Sequence, residues 1–132
     1  MMQGKIKGEE EFRIYYPKSK AEQKRWAKEY GLNAYYAGKH WSKRKEDADY
    51  WHLLTISALN RCEMRRTPFE GPVEIRFLWN DRLDIDNHAV MGKMIVDALK
   101  GRLIWDDNKK WLKGISHYFH DEEYILVMVR EV

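Results

Sequence analysis

A single cysteine, Cys62, is all the thiol in this chain of 132 residues, so no internal disulfide can form. No Cys/His spacing resembles a zinc site either. A reducing cytoplasm is the compartment that fits. Long apolar stretches are also missing: the longest runs from Ile125 to Val129, far short of the roughly 20 residues that a membrane-spanning helix needs. The start, Met1-Met2-Gln3-Gly4-Lys5, leads into Glu9-Glu10-Glu11 rather than an apolar core, so neither a signal peptide nor a membrane span is expected. Nor does one sign of charge dominate. The net charge of +3 is too small to mark a nucleic-acid binder outright. No internal repeat or low-complexity linker divides the chain. With 44% hydrophobic and 34% charged residues, its length suits one domain built on one core.

The charge is nevertheless uneven along the chain. Residues 1–80 carry 16 Lys/Arg against 11 Asp/Glu, whereas residues 81–132 carry 8 against 10. The basic part suits sequence-independent phosphate contacts, and the acidic part would repel a polyanion unless a metal neutralised it. Local patterns then divide the chain into elements. Phe12 to Tyr16 reads as a short strand. Ser19 with Glu22 forms a capping box that opens a helix over Lys20 to Tyr30, stopped at Gly31. A longer helix is expected from Ser42 to Cys62, with Ala48, Trp51, Leu54, Ala58 and Cys62 as its core stripe. Thr67 to Pro72 is a turn, and Val73 to Trp79 alternates as a strand with Val73, Ile75, Phe77 and Trp79 inward. Lys110 to Phe119 and Glu123 to Val132 read as two more strands, joined as a hairpin through His120-Asp121-Glu122.

The chemistry concentrates around the helix that follows Asp84-Ile85-Asp86-Asn87. Projected at 100° per residue from Asp86, an arc of Val90, Met91, Met94, Ile95, Ala98 and Leu99 faces the core, while Lys93 and Asp97 fall within about 20° of Asp86. Asp86 reads as the N-cap and Gly101 as the stop. Capping and turn chemistry alone account for Asp84 and Asp86, or for Asp106-Asp107-Asn108, when each block is taken singly. Together they allow a second reading. Magnesium takes a few protein carboxylates and completes its shell with water and substrate phosphate, so Asp84, Asp86 and Asp107, with Asp106 beside them, are candidate ligands. Such an ion polarises a phosphoryl oxygen and makes a nucleophile of bound water, and Lys93 would stabilise the transition state as a fixed cation. An EF-hand loop starting at Asp84 is excluded, because Ala89 stands where glycine is needed and Ile95 where the bidentate Glu belongs.

The order Asp84-Ile85-Asp86-Asn87, Lys93, Asp97-Ala98-Leu99, Gly101, Asp106-Asp107 resembles the RusA-type crossover junction endodeoxyribonucleases of bacteria and prophages. More weakly, the resemblance takes in Asn33-Ala34-Tyr35-Tyr36 and Pro72-Val73-Glu74-Ile75-Arg76, so it spans roughly residues 30 to 132, with residues 1–30 as an N-terminal extension of the single domain. It implies an α+β fold, a small mixed β-sheet with helices packed on it. It further implies a homodimer that resolves Holliday junctions, in DNA recombination and repair, by paired magnesium-dependent nicks, with manganese as a substitute. The family's metal-binding aspartates fall on Asp84, Asp86 and Asp107. Its lysine lies four residues after the second aspartate, where this chain has Val90; Lys93 corresponds only if about one turn is inserted, about 4.5 Å further along the helix. A basic residue that often precedes the first aspartate is replaced by Leu83, with Arg82 one position earlier.

Branched DNA, a four-way junction in particular, is thus the expected partner. Tyr36, Lys39, Lys43, Arg44, Lys45, Arg82 and Asn87 are the candidate DNA contacts, the bases positioning phosphates and the aromatics near Tyr36 stacking on unpaired bases. A solvated charged surface is the plain alternative for the same run. His40, His52, His88, His117 and His120 are read as ordinary surface or core residues, and Asp97 as the partner of Lys93 or Lys100 in an exposed salt bridge. Three other readings stay open: a branched-DNA-binding protein of this fold with impaired catalysis, a nuclease for flaps or other branched substrates, and a structural domain whose carboxylates are caps.

Overall fold

The computed structural model describes residues 8–62 and 65–132, so the opening Met1 to Lys5 lies outside the described residues. Strand β1 (Glu9–Tyr15) is followed by α1 (Lys20–Tyr30), the short α2 (Leu32–Tyr36) and the long α3 (Trp41–Arg61). Then come β2 (Val73–Trp79), a 3-10 turn over Ile85–His88, α4 (Ala89–Leu99), β3 (Leu112–Phe119) and β4 (Tyr124–Glu131). The fold is α+β, one small domain with a mixed four-stranded sheet and four helices. Among the described residues, no helix is long and apolar enough to cross a membrane.

Local chemistry explains most boundaries. Ser19, in extended backbone, accepts a hydrogen bond from the Glu22 amide at 3.1 Å, which satisfies one of the orphan donors of the first turn of α1. The other half of the expected box is absent. The Glu22 carboxylate pairs with Arg25 instead, at 3.2 Å. Gly31 ends α1 for want of room: a Cβ there would stand 3.0 Å from the Ala27 carbonyl and 3.3 Å from both Leu83 and Asn87. A side chain at this corner would make the segment after β2 give way slightly.

The core stripe of α3 keeps four of its five expected positions, with Trp51 and Ala58 buried and Leu54 and Cys62 packed against the core, and takes in further residues at its side. Asp47, Trp51, Thr55, Ala58 and Leu59 are buried, while Ala48 is exposed. Periodicity could not foresee that a carboxylate would take an inward position, because the partners of Asp47 arrive from earlier in the chain: Lys39 ion-pairs with it and the Tyr35 hydroxyl donates to it at 2.6 Å. Around Trp51, the rings of Trp26, Tyr30 and Tyr50 pack with centroids 4.7 to 6.3 Å away. Much of the aromatic content is therefore core.

The sheet order is β1-β4-β2-β3. β4 is antiparallel to both β1 and β2, with Phe12 opposite Val127 and Phe77 opposite Val127 on its other side. β2 and β3 are parallel, with Phe77 opposite His117. The expected β3–β4 hairpin therefore does not form. The chain from 120 to 123 instead passes over the end of β2, where the His120 amide donates to the Trp79 carbonyl and the Asn80 side chain donates to the Glu122 carbonyl. The physical reason is burial. Ile125, Val127 and Val129 are almost wholly buried and claim a central position with both edges paired, leaving β3, with exposed Lys113 and Ile115, at the rim. A parallel β2–β3 pair needs a crossover connection, and α4 is that crossover. It buries Met91, Met94, Ile95, Ala98 and Leu99 on α3 and the sheet, as its apolar arc predicts. Gly101 ends the segment with φ +79°, a conformation that a side chain disfavours.

Candidate functional site

Between β2 and α4 the chain makes the turn that carries Asp84 and Asp86, held from beneath by a buried polar network. His88 is fully buried. Its Nε2 lies 2.7 and 2.9 Å from the two Asp81 carboxylate oxygens, and its Nδ1 lies 3.0 Å from the Ile85 carbonyl. Both ring nitrogens therefore face oxygen acceptors. Asp81 also accepts from the Leu83 amide at 3.0 Å and the Tyr16 hydroxyl at 3.1 Å. Burial first, and the Asp81 charge second, push the Tyr16 hydroxyl well above its ordinary range, so it remains a donor. Beside this pair, Trp79 stacks on His88 at 4.4 Å and donates its indole N–H to His117 Nδ1 at 3.0 Å. Burial, followed by the charge of His88, pulls His117 below its usual value. A neutral His117 is what the Trp79 bond requires.

This network alters the start of the helix. Asp86 is not the N-cap; it sits inside the 3-10 turn, and His88 precedes α4 without a side-chain capping bond. The physical reason is that His88 is drawn inward to Asp81 and Trp79, tightening the turn. Because a 3-10 turn advances about 120° per residue, Asp86 is swung roughly 40–60° away from the facing with Lys93 that a uniform helix predicts. Asp84 is the residue that flanks the 3-10 turn, yet its side chain makes no capping bond. Neither the Asp84 nor the Asp86 carboxylate has an ion-pair or hydrogen-bond partner among the described residues, and both are exposed.

The second acidic block behaves differently. Asp106 serves its own turn, accepting from the Asp107 amide at 2.8 Å and the Asn108 side chain at 3.3 Å. Asp107 lies 3.4 Å from the Lys100 ammonium, which also reaches Asp97 at 3.3 Å. Burial raises the Asp107 carboxyl, but Lys100 together with Asp106 outweighs it, so the group sits below its ordinary value. Lys93 is exposed and pairs with Asp97 at 3.4 Å. Asp97 thus meets both lysines that the sequence offered. Among the described residues, no group of three or more His, Cys, Asp and Glu side chains gathers so as to hold a metal ion. The expected convergence of Asp84, Asp86 and Asp107 is therefore not formed within one chain. Of the expected ligands, the exposed Asp84 and Asp86 are the ones that could serve magnesium, an ion that commonly takes one or two carboxylates and leaves the rest of its shell to water and phosphate.

Three of the seven candidate DNA contacts, Lys39, Arg44 and Asn87, turn out to be engaged inside the fold. Lys39 pairs with buried Asp47 and donates to the Glu29 carbonyl at 2.7 Å. Arg44 donates to the Lys39 and Tyr35 carbonyls at 2.8 and 3.2 Å and covers the Tyr35 ring. Asn87 accepts from the Asn33 amide at 3.1 Å, tethering α2 to the turn. Lys43 and Lys45 make exposed pairs with Glu46 and Asp49 at 3.4 and 3.3 Å, weak enough to release to a phosphate. Arg82 and Tyr36 are exposed and unengaged among the described residues. Sequence reasoning missed Asp81 and Tyr16, the residues that fix the turn, although Asp81 stands seven positions before His88 and no local pattern links them. No protein-family model matches the chain, and no curated protein matches it.

Proposed function

We propose that this chain is a magnesium-dependent, structure-selective DNA endonuclease that nicks four-way junctions, with manganese as a substitute ion. One observation carries the reading: Asp84 and Asp86 are exposed at a rigid strand-to-helix turn, and neither carboxylate caps a helix or meets a cation among the described residues. A carboxylate kept at such a turn as a helix cap has such a partner. The spacing of these aspartates within the block that resembles the RusA-type nucleases supports the same reading.

On this proposal Asp84 and Asp86 hold the ion, which supplies Lewis-acid polarisation of the phosphoryl oxygen and a water of lowered pKa. The Asp81–His88 pair fixes the turn so that the two carboxylates are presented without rearrangement. Lys93, on α4 and paired only to exposed Asp97, is free to swing to a phosphate at little cost. Two chains acting as a homodimer would place one site on each of two opposed strands, the arrangement that paired nicks need.

A branched-DNA-binding protein with impaired catalysis is the second reading, and the engagement of Asp107 by Lys100 favours it. One experiment separates them. A labelled four-way junction is incubated with the chain in 10 mM magnesium, and Asp84→Asn, Asp86→Asn and Asp107→Asn are compared. The nuclease proposal expects cleavage that falls by at least about 100-fold in the first two variants, the scale of losing a metal-supplied barrier reduction. Junction binding without metal-dependent nicks would select the second reading, and no effect of Asp86→Asn on cleavage would remove these carboxylates from the chemistry.

A further inference from the structure

A cleft of about 430 Å³ lies between α1 and the segment that leaves β2. Its lining includes Lys20, Lys24 and Lys28 from one side and Arg82 from the other, over apolar groups that include Ala27 and Leu83. The three lysines recur every fourth residue, so they form one stripe along about 12 Å of helix. All four cations are exposed, and among the described residues none of their side chains makes an ion pair or hydrogen bond. The two acids of α1, Glu22 and Glu29, share Arg25, at 3.2 and 2.8 Å, rather than pairing with the lysines, and with four cations against two anions the helix keeps a surplus of positive charge. Asp81 also borders the cleft, but His88, Leu83 and Tyr16 already use its carboxylate. The cleft therefore presents uncompensated positive charge around an apolar floor.

We infer that this cleft binds a short unpaired strand of nucleic acid, its phosphates along Lys20, Lys24, Lys28 and Arg82 and a base against the floor formed by Ala27 and Leu83. Two features select this occupant. The phosphates of a strand form a regular row of negative charge, which a row of cations spread over about 12 Å of helix meets at more than one point. A volume of this size takes a flat ring system, and an apolar floor lets a base of any identity bury its face. An acidic peptide would match the charge but would leave the floor unused. Arg82 lies two residues before Asp84, so the cleft borders the segment that carries the carboxylate pair. The inference rests on the proposal that the chain acts on DNA, and it relocates the principal phosphate contacts from residues 39–45 to α1.

The test is binding of a fluorescent dT12 strand in EDTA, over 50 to 300 mM salt, to the full chain. Lys20→Ala/Lys24→Ala/Lys28→Ala is compared with Arg61→Ala/Arg66→Ala/Lys113→Ala, which removes the same charge from exposed positions elsewhere. The α1 variant should lose roughly two orders of magnitude in affinity at low salt and flatten the salt slope by about 2, at ~0.7 per single-strand contact. The control should bind far closer to wild type. Wild type should prefer dT12 to an abasic strand of equal charge by about tenfold, and to a glutamate 12-mer by more. Equal losses in the two triple variants, or equal wild-type affinity for dT12 and either competitor, would overturn the inference. Because no divalent ion is present, a chain that binds through α1 but never nicks a junction keeps this site and loses the nuclease reading. One that nicks junctions while the α1 variant binds as wild type does the reverse.

Discussion

Replacing Asp81 by Asn tests whether the buried pair with His88 holds the turn. His88 is fully buried and the Asp81 side chain is 15% exposed, with their contact at 2.7 Å. The substitution keeps shape and one acceptor oxygen but removes the anion and one of the two oxygens that face the buried ring. Deleting one partner of a buried pair costs about 3–5 kcal/mol. The partial exposure of Asp81 and the retained oxygen put this case at the lower end, about 3 kcal/mol. For a domain of this size that is a fall in melting temperature of roughly 10 °C. Thermal melts followed by circular dichroism at pH 7 would measure it. The double variant Asp81→Asn/His88→Gln restores a neutral hydrogen-bonded pair and should recover about half the loss, a coupling readable as a double-mutant cycle. A drop of less than 3 °C, or strict additivity in the cycle, would refute the view that the network carries the turn.

Lys39→Ala should cost about 3 kcal/mol, because it strands buried Asp47; a urea midpoint restored by Lys39→Ala/Asp47→Asn would show the loss to be structural rather than a lost DNA contact. Gly92→Ala would gain about 1 kcal/mol of helix propensity, yet its Cβ would meet His117 Cε1 at 3.1 Å. That ring is held by Trp79 and stacked on Phe77 at 5.3 Å, so a net loss of about 1 kcal/mol is expected in urea unfolding. His117 sits below its ordinary value of 6.5, so the unfolded chain takes up the proton first. Its contribution to stability is present above about pH 6.5 and is lost as pH falls toward the depressed folded value. Urea midpoints between pH 7.5 and 5 should fall accordingly, and His117→Gln, which keeps an acceptor for Trp79, should flatten that part of the profile.

Several outcomes whose partners lie within a few residues of each other were settled by the sequence alone. Ser19 and Gly31 bound α1, alternation set the inward face of β2, the apolar arc of α4 met the core, and Asp97 found Lys93 and Lys100 one turn away in either direction. These are short-range preferences of backbone and burial, and they read directly from spacing. Tertiary structure decided what depends on distant partners. It made Asp47 an inward residue through Lys39 and Tyr35, and drew His88 down to Asp81 so that Asp86 fell inside a 3-10 turn. It also set β4 between β1 and β2 instead of beside β3. Asp107, adjacent to Asp106 in sequence, was turned to Lys100, and the lysines of α1 were brought opposite Arg82 across more than fifty residues of chain. Charge pairing and strand neighbours are choices among alternatives of similar local energy, and only the packed core ranks them.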